Sequence, residues 1–395
     1  MTHQAANENR IVLGDPVPWF SAALATGSGF DLHVSAGRWV VLSFMGSPEN
    51  PRAMAELTEL MRESASFSED HIIIGCVFTS PPDYLDSLAA VASNKLFFIA
   101  DYDGAISRQY GAQEMPRTIV LDPMLRAIAN IGWDDPQGHA QAVQGLLRAL
   151  PAVDDSAGVP MTAPALLVPR VFSFDVCDFL VQFYEQQGGE ESGFQFDISG
   201  KTTTVSNHSL KRRSDVPVAL PEVRDLVRSH IVRRVVPEIE RYFQFKATRM
   251  DRYIVACYDA EVGGHFFRHR DDVNAGARHR RFALSINLNS KFEGGDLMFP
   301  EFGRKTYRPP EGGAMLFSCG ALHQVTPVTK GRRYAFLAFL YGEDDVATRL
   351  ANNARLHAGE TPYVPGRDRL FPEAGPAEAT EPRRESPALA PELAD

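Results

Sequence analysis

The sequence has no CxxC pair, and its four cysteines (Cys76, Cys177, Cys257 and Cys319) are scattered along 395 residues. Closely spaced cysteine pairs are typical of structural zinc sites and thiol redox motifs, so neither is predicted here, and unpaired cysteines fit a reducing compartment. Cys76 and Cys257 lie inside strand-like apolar runs, where burial raises the pKa of a thiol and suppresses its reactivity. We therefore expect each cysteine to be a small core residue.

The sequence also lacks a long apolar run and an excess of positive charge. No stretch approaches the roughly 20 consecutive apolar residues of a membrane-spanning helix, and the polar first ten residues do not resemble a signal peptide. Lys and Arg total 40 against 50 Asp and Glu, and the net charge of −10 argues against a surface built for nucleic acid. We expect a cytoplasmic protein with no membrane partner.

Length and composition favour two packed domains. A 395-residue chain with 44% apolar residues is longer than one ordinary domain and can fill two cores. Changes of pattern along the chain indicate the boundaries. We predict a polar tail at 1–10, an α/β domain at 11–151, a linker at 152–164, a strand-rich domain at 165–345, and an extension at 346–395 that is disordered from about 372.

The first domain alternates strand-like and helix-like segments, as α/β layer proteins do. Buried strands are predicted at 38–46 and in HIIIGCVF, and a helix in PRAMAELTELMRES begins with Pro51. This order, together with LGDPVPWF, DYDGAISRQYG and MPRTIVLDP, resembles the peroxiredoxin branch of the thioredoxin fold. The resemblance implies an α/β thioredoxin-like fold and matches Pro116 to the cis-proline of that family.

One feature of that family is missing. In peroxiredoxins the loop after the first central strand carries the peroxide-reducing cysteine, whereas residues 45–51 of this chain read MGSPENP. Without a thiolate no sulfenic acid can form, so peroxidase chemistry is not predicted around Ser47. We interpret the domain as a degenerate redoxin that serves binding, packing or the formation of a homodimer.

The second domain begins with helical segments and continues as short strands. Ser173 is the predicted N-cap of a helix that ends at Gly188, and a second helical stretch around 223–231 is broken by Pro237. From Met250 onward, apolar runs alternate with turn residues, which is typical of a sandwich or jelly roll. The runs are DRYIVACY, FFRHRD, RFALSINL, GDLMFP, GAMLFSC and RRYAFLAFLY.

A metal-binding pattern lies among these strands. In His269-Arg270-Asp271 two candidate ligands are two residues apart, so they project from the same side of an extended strand while Arg270 points away. His323 follows Asp271 by 52 residues, just after the apolar run AMLFSC. Two imidazoles and one carboxylate on one face of the metal are the ligands of non-haem ferrous oxygenases. A basic residue ten positions after His323 suits bidentate binding of a carboxylate in a pocket.

The motifs HRD, EGGDLMFPEFG and HQVTPVTKGRR together resemble the iron(II)- and 2-oxoglutarate-dependent dioxygenases of the prolyl 4-hydroxylase type, across this second domain. The resemblance implies a double-stranded β-helix, or jelly roll, with bracing helices. It also implies Fe(II) held by His269, Asp271 and His323, 2-oxoglutarate as co-substrate, and ascorbate as a reductant. The family spacing assigns the distal carboxylate of 2-oxoglutarate to Arg333 rather than to Arg332, which faces the opposite side of the strand.

Four other residues near the motifs need an interpretation. Tyr258 matches a tyrosine that lines the co-substrate pocket of relatives, although an aromatic residue at a strand end often only packs. Where some relatives place a second pocket tyrosine, this chain has Asn287, which leaves the contacts to 2-oxoglutarate open. His265 and His279 lack the required partners, and we predict that neither is a metal ligand.

Arginine is concentrated in the second domain. On an acidic chain this asymmetry fits an anionic substrate or an acidic peptide, but a set of solvated faces and ion pairs explains it equally well. The strand YAFLAFLY lacks the second arginine that a nucleic-acid demethylase would place beyond Arg333, which disfavours nucleic acid. The basic residues concerned are Lys211, Arg212, Arg213, Arg233, Arg234, Arg249, Arg252, Arg268, Arg270, Arg278, Arg280 and Arg281.

Three functions therefore stay open. The leading hypothesis is hydroxylation of a prolyl or other side chain of a protein or peptide, with the redoxin-like domain helping to position the substrate. The same chemistry on a small metabolite is the second. A sensor or binding protein that holds iron and 2-oxoglutarate without much turnover is the third.

Overall fold

The computed structural model describes residues 11–81, 85–113, 115–133, 136–198, 201–355 and 362–371. A thioredoxin-like α/β domain is followed by a jelly roll, which confirms the predicted fold class. The tail predicted at 1–10 and the disorder predicted from about 372 lie outside the described residues. Within those ranges, no helix has both the length and the apolar character needed to cross a bilayer.

The N-terminal domain is one sheet with helices on both faces. Its strands are β1 (Ser21–Leu24), β2 (Gly29–Asp31), β3 (Trp39–Gly46), β4 (Ile72–Phe78), β5 (Leu96–Ala100), β6 (Arg117–Leu121) and β7 (Ala127–Gly132), and its helices are α1 (Pro51–Ser64), α2 (Asp86–Ala89), α3 (Ala105–Gln109) and α4 (Pro136–Ala149). The spatial order is β2-β1-β5-β4-β3-β6-β7, with β3, β4 and β5 parallel. Because both faces are covered, all of β4 and all but the last residue of β3 are buried.

The MGSPENP loop leaves the carboxyl end of β3 and leads into α1. The helix begins at Pro51 as predicted, and the Asn50 side chain caps it by accepting a hydrogen bond from the Arg52 N–H at 3.0 Å. Cys76 is fully buried in β4, and burial raises the pKa of its thiol, so it is not a nucleophile. The match of Pro116 to a cis-proline is wrong, because its peptide bond is trans and leads directly into β6.

The C-terminal domain consists of two facing sheets braced by helices. Its strands are β8 (Ala165–Val168), β9 (Glu190–Glu191), β10 (Phe194–Ile198), β11 (Lys201–Val205), β12 (Lys211–Arg212), β13 (Ser214–Pro217), β14 (Arg249–Asp259), β15 (His265–His269), β16 (Phe282–Asn287), β17 (Phe292–Gly294), β18 (Leu297–Met298), β19 (Thr306–Tyr307), β20 (Ala314–Ser318), β21 (His323–Val325) and β22 (Val328–Tyr341). Its helices are α5 (Phe174–Gln187), α6 (Pro221–Arg234), α7 (Val236–Phe243) and α8 (Val346–Ala351). The first three helices cover one sheet, whose opposite face is left for a pocket.

The larger sheet has the order β8-β20-β16-β22-β14-β13-β9, and the smaller has the order β12-β15-β21-β18-β19. Successive side chains of β22 point to opposite faces of the sheet, so one set packs in the core and the other faces the cavity. Phe336 and Leu340 pack with the helices, whereas Arg333, Leu337 and Phe339 line the space between the sheets. The sequence pattern of β22 therefore gives the sheet one structural face and one face for a site.

The two domains meet at the amino end of β3, opposite the MGSPENP loop. Asp154, within the predicted linker, accepts a hydrogen bond through Oδ1 from the Arg304 N–H at 2.6 Å. Gly37 approaches Pro300 so closely that a Cβ on the glycine would lie 2.3 Å from the proline Cβ. Leu322, from the C-terminal domain, is fully buried among residues of the N-terminal core. Residues of both domains are therefore closely packed where the domains meet.

The glycine at this contact gives a test of the domain packing. Gly37 has φ +80°, and Gly27 has φ +78° with no atom near its missing Cβ. Gly27→Ala should cost about 1–2 kcal/mol for the left-handed backbone alone, whereas Gly37→Ala should cost about 2–5 kcal/mol because it also overlaps Pro300. Calorimetric melting of the full chain measures both losses. Equal losses in the two variants would show that the domains do not pack closely at Gly37.

Candidate metal centre

The three candidate ligands come together on the smaller sheet. His269 is the last residue of β15 and His323 is the first of β21, and the two residues are paired directly across the antiparallel ladder. Asp271 lies two residues beyond His269, on the same side of the chain. The three ligand atoms lie within 4.8 Å of one another, and among the described residues this is the one group of His, Cys, Asp and Glu that is so arranged.

Hydrogen bonds fix which imidazole nitrogen faces the centre. His269 Nδ1 lies 2.7 Å from the carbonyl oxygen of Phe267, and His323 Nδ1 lies 3.0 Å from that of Ala321. A carbonyl can only accept, so each Nδ1 must carry the proton and each neutral ring then turns an Nε2 lone pair inward. The Nε2 atoms lie 3.5 and 3.4 Å from the carboxylate oxygens of Asp271. Lone pairs converging without a proton between them fit a bound cation.

The centre is recessed, and burial shifts the pKa values of its side chains. Burial lowers the pKa of His323 to about 4, with a further lowering from His269 against the opposing pull of Asp271. Burial alone would raise the pKa of Asp271, but the imidazoles of His323 and His269 bring it below its ordinary value. Phe266 stacks on His269 with ring centroids 3.5 Å apart. The Asp271 carboxylate and the His323 and His269 rings together form the kind of donor set that a ferrous ion prefers.

A buried ion pair joins the two chain segments that carry the ligands. Arg270, between His269 and Asp271, donates to Glu301 through both terminal nitrogens, at 3.1 and 2.8 Å. Glu301 also accepts a hydrogen bond from the backbone N–H of Leu322, the residue before His323, at 2.9 Å. One carboxylate therefore fixes β15 relative to β21. Glu301 lies within the motif EGGDLMFPEFG, but the motif did not indicate this role.

The two neighbouring arginines of β22 point in opposite directions. Arg333 is 2% exposed and donates to Asn287 Oδ1 and Ser285 Oγ, both at 3.0 Å, inside the cavity that holds the metal centre. Arg332 is exposed and forms a surface ion pair with Asp259 at 2.7 Å. Burial lowers the pKa of Arg333, although Tyr258 opposes the shift. Arg333 is thus held by neutral groups, and its charge is available to a ligand.

Tyr258 and the glycine pair form the walls around Arg333. Tyr258 is buried, pairs with Arg333 across the strands, and has its ring 5.4 Å from the guanidinium carbon. Asn287 donates its amide to the Pro309 carbonyl and accepts from Arg333, so both ends of its side chain are occupied. At Gly295, with φ +67°, a Cβ would lie 3.1 Å from Arg333 Cδ. The glycine therefore leaves room for the arginine stem.

The metal centre and Arg333 share one large cavity with a volume of about 1040 Å³. Its walls come from both domains, since Trp19, Phe30 and His33 of the N-terminal domain line it together with the strands. The guanidinium carbon of Arg270 lies 4.8 Å from the centre of the Trp19 ring. The redoxin-like domain thus forms a wall of the cavity, which its sequence did not indicate.

The two histidines interpreted as non-ligands lie away from the triad. His265 begins β15 and has its ring nitrogens near the carbonyls of Gly263 and Ser209, at 2.8 and 3.3 Å. His279 is buried beside Asp251, with Nε2 3.3 Å from a carboxylate oxygen. Neither belongs to the converging donor set.

Comparison with known families agrees with these two halves. The model of the 2OG-Fe(II) oxygenase superfamily matches residues 253–341, which include the triad and Arg333. The C-terminal domain is a 2OG-Fe(II) oxygenase domain. The model of the AhpC/TSA family matches residues 13–128, so the N-terminal domain is of the AhpC/TSA type.

Individual relatives match parts of the chain. A PKHD-type hydroxylase of Synechococcus sp. (strain JA-2-3B'a(2-13)) is 28% identical over 117 residues, 27% of this chain and 51% of the relative. The chain thus spans about half the length of the curated relatives it matches. The viral collagen prolyl hydroxylase of Paramecium bursaria Chlorella virus-1 (TM-score 0.35, 16% identity) covers 45% of this chain and 94% of its own. The match to PrxQ of Xylella fastidiosa (TM-score 0.32, 18% identity) covers 35% of this chain and 96% of the PrxQ chain.

Removal of one ligand tests the metal centre. His269→Ala should weaken Fe(II) binding by more than the roughly 10- to 100-fold that loss of a residue merely orienting a ligand causes. His265→Ala, on the same strand, is the matched control and should bind one Fe(II) per chain like the unaltered protein. Anaerobic titration with Fe(II), followed by metal analysis of the separated protein, measures both. Equal iron content in the two variants would show that His269 is not a ligand.

Proposed function

We propose that the chain is an iron(II)- and 2-oxoglutarate-dependent dioxygenase that hydroxylates a side chain of a protein or peptide. The observation that carries the proposal is the presence, in one cavity, of the His269, Asp271 and His323 donor set and the buried Arg333. A facial set of three ligands leaves positions for a chelating co-substrate and dioxygen. A recessed guanidinium without a carboxylate partner suits the far carboxylate of 2-oxoglutarate.

The residues of this chain would bind, orient and shield the reactants. Fe(II) with 2-oxoglutarate supplies the oxidising chemistry, in which decarboxylation to succinate and carbon dioxide accompanies hydroxylation of the substrate. His269, Asp271 and His323 would hold the metal, with the ring orientations already set by their Nδ1 hydrogen bonds. Asp271 keeps the third protein position occupied by a carboxylate, which favours hydroxylation over transfer of a halide. Phe266 and the neighbouring apolar side chains exclude water from the centre.

Arg333 would bind 2-oxoglutarate in a fixed direction. Its Nε and one terminal nitrogen are occupied by Asn287 and Ser285, which fix the plane of the guanidinium before the ligand arrives. Tyr258 closes the side of the pocket. Such preorganisation reduces the ordering that binding requires. The contacts also give Asn287 a role in orienting Arg333. Because both ends of its side-chain amide are already hydrogen-bonded, this role is indirect.

The size of the cavity supports a substrate larger than the co-substrate. A volume of about 1040 Å³ is at the upper end of the roughly 300–1000 Å³ of small-molecule pockets, so a five-carbon acid leaves much of it free. PKHD-type hydroxylases also match this chain, over 117 and 109 residues. The free volume favours a peptide segment entering between the oxygenase strands and the AhpC/TSA domain.

The paired arginines of β22 test the assignment of the co-substrate. Arg333→Met should raise the Kd for 2-oxoglutarate by roughly 30- to 900-fold, because loss of a buried charge-assisted contact costs about 2–4 kcal/mol. Arg332→Met removes only surface ion pairs, with Asp259 and Glu185, and should leave the Kd within about threefold. Anaerobic calorimetric titration of the Fe(II)-loaded protein gives both values. A larger loss of affinity in Arg332→Met than in Arg333→Met would reverse the assignment.

The reaction itself is tested by products. The Fe(II)-loaded protein should convert 2-oxoglutarate into succinate, and Asp271→Ala should lose this activity. Incubation with a cell lysate should add the mass of one oxygen to particular peptides, seen by mass spectrometry, and the Asp271→Ala protein should add none. Succinate formation that persists in Asp271→Ala would refute the mechanism. Oxygen added only to small metabolites would reassign the substrate.

A further inference from the structure

Strand β14 contains an irregularity that faces the cavity. Asp251 pairs with Phe339 and Ile254 with Leu337, so β14 has one residue more than β22 between these pairs and forms a β-bulge. Met250 and Tyr253, three residues apart, both belong to the core beneath the helices. The two residues between them therefore both face away from that core.

The bulge forces Arg252 into an unfavourable backbone conformation. Its φ is +54°, in the left-handed region, where a residue with a Cβ is destabilised. A glycine would adopt this conformation freely. Strain of this kind persists where the surrounding structure imposes it and often accompanies a functional role of the side chain.

The side chain of Arg252 is partly buried and lines the cavity, and within the described ranges it forms no ion pair with a carboxylate. The adjacent Asp251 is already occupied by Arg280 at 3.1 Å, Arg349 at 2.7 Å and His279 at 3.3 Å. Burial lowers the pKa of Arg252 to about 10, with a further lowering from Arg280. The guanidinium thus stays charged at neutral pH and lies in the cavity wall without an acidic partner, a position that suits an anionic ligand.

Several other recessed cations of the cavity already have acidic partners. Arg213 binds Asp215 at 2.7 Å and Arg270 binds Glu301 at 2.8 Å. Two other cations also lack an acidic partner. Neutral groups hold Arg333 for the co-substrate. Lys211 donates to Ser192 and Gly193, and burial lowers its pKa to about 6, so at neutral pH it is mostly uncharged. Arg278 also lines the cavity, but it is exposed and can be solvated.

Arg252 and Arg333 are too far apart along the sheet for one small acid to need both. Arg333 pairs with Tyr258, which lies six residues beyond Arg252 on β14, roughly 20 Å of extended strand. A five-carbon acid bound by Arg333 and the metal therefore leaves Arg252 for another ligand.

We propose that Arg252 is the anchor for a carboxylate of the substrate, so that the oxygenase domain selects substrates carrying an acidic group near the carbon to be hydroxylated. The inference rests on the proposed function. The proposed contact is an ion pair between the Arg252 guanidinium and a carboxylate of the substrate, inside the cavity. The carboxylate belongs either to an acidic side chain of a peptide or to a small organic acid, and the experiment separates the two.

Stability gives the first test, because it needs no substrate. Arg170 also has a left-handed backbone, with φ +57°, but it is exposed and does not line the cavity, so it is a matched control. Arg252→Gly should raise the Tm by about 2–4 °C, and by more than Arg170→Gly, because it removes an unpaired recessed charge as well as the strain. A fall in Tm for Arg252→Gly would mean that the arginine is structural and would overturn the proposal.

Binding gives the second test, with the full chain loaded with Fe(II) and 2-oxoglutarate. One pair of probes is a random peptide pool containing Asp and Glu and the same pool with Asn and Gln instead. The other pair is a set of small carboxylic acids and their amides. Succinate formation above the level without probe should be at least about tenfold greater with acids than with amides, in the unaltered protein and in Arg170→Met. The probe pair that responds identifies the source of the carboxylate.

In Arg252→Met the preference for acids should disappear while the KM for 2-oxoglutarate stays unchanged. Equal stimulation by acids and amides in the unaltered protein, or no stimulation by either, would overturn the role of Arg252. A raised KM for 2-oxoglutarate in Arg252→Met would do so as well, since it would assign the arginine to the co-substrate. Succinate formed without probe remains the separate measure of the oxygenase activity, so its loss in the unaltered protein would instead refute the proposed function.

Discussion

The carboxylate of Glu301 is the contact on which the geometry of the metal centre depends. It binds the guanidinium of Arg270 through two hydrogen bonds and the N–H of Leu322 through a third. Arg270 lies between two candidate ligands and Leu322 precedes the third, so all three are positioned through one side chain. Breaking such a buried pair by removing one partner costs about 3–5 kcal/mol, because the remaining charge is left unpaired. Metal geometry and local stability are therefore coupled at Glu301.

The same contact connects the metal centre to the AhpC/TSA domain. Arg270 lies against the Trp19 ring, and Leu322 is buried in the N-terminal core. Displacement of that domain would uncover Leu322 and open the wall of the cavity at Trp19. The MGSPENP loop, where a peroxiredoxin would carry its nucleophile, lies at the other end of β3. The domain thus has no cysteine in this loop, and at its other end it lines the cavity.

Local patterns predicted the fold and the three candidate metal ligands that the structure brings together, but not the contacts that hold these residues in place. The period of two along a strand was sufficient to place His269 and Asp271 on one side and to separate Arg332 from Arg333. Glu301 and Trp19 could not be found in this way, because their roles depend on packing between segments far apart in sequence. The bulge at Arg252 was equally hidden, since nothing in DRYIVACY distinguishes a regular strand from one with an inserted residue. The trans bond at Pro116 shows that a matching residue type does not by itself fix the conformation of the peptide bond.

The sequence alone could not decide whether the many arginines of the second domain form ion pairs or a binding site. In the structure, the hydrogen-bond or ion-pair partner of each arginine distinguishes the two cases better than the degree to which the arginine is buried. Arg213 and Arg270 are buried against carboxylates, which neutralise their charge and leave nothing for a ligand. Arg333 is equally buried, but an amide and a hydroxyl hold it, so its orientation is fixed while its charge remains. A ligand carboxylate would have to displace an acidic side chain to bind Arg213 or Arg270, but it would displace none to bind Arg333. Arg252 also lacks an acidic partner and satisfies the same condition, which supports the proposal of a second anion site in the cavity.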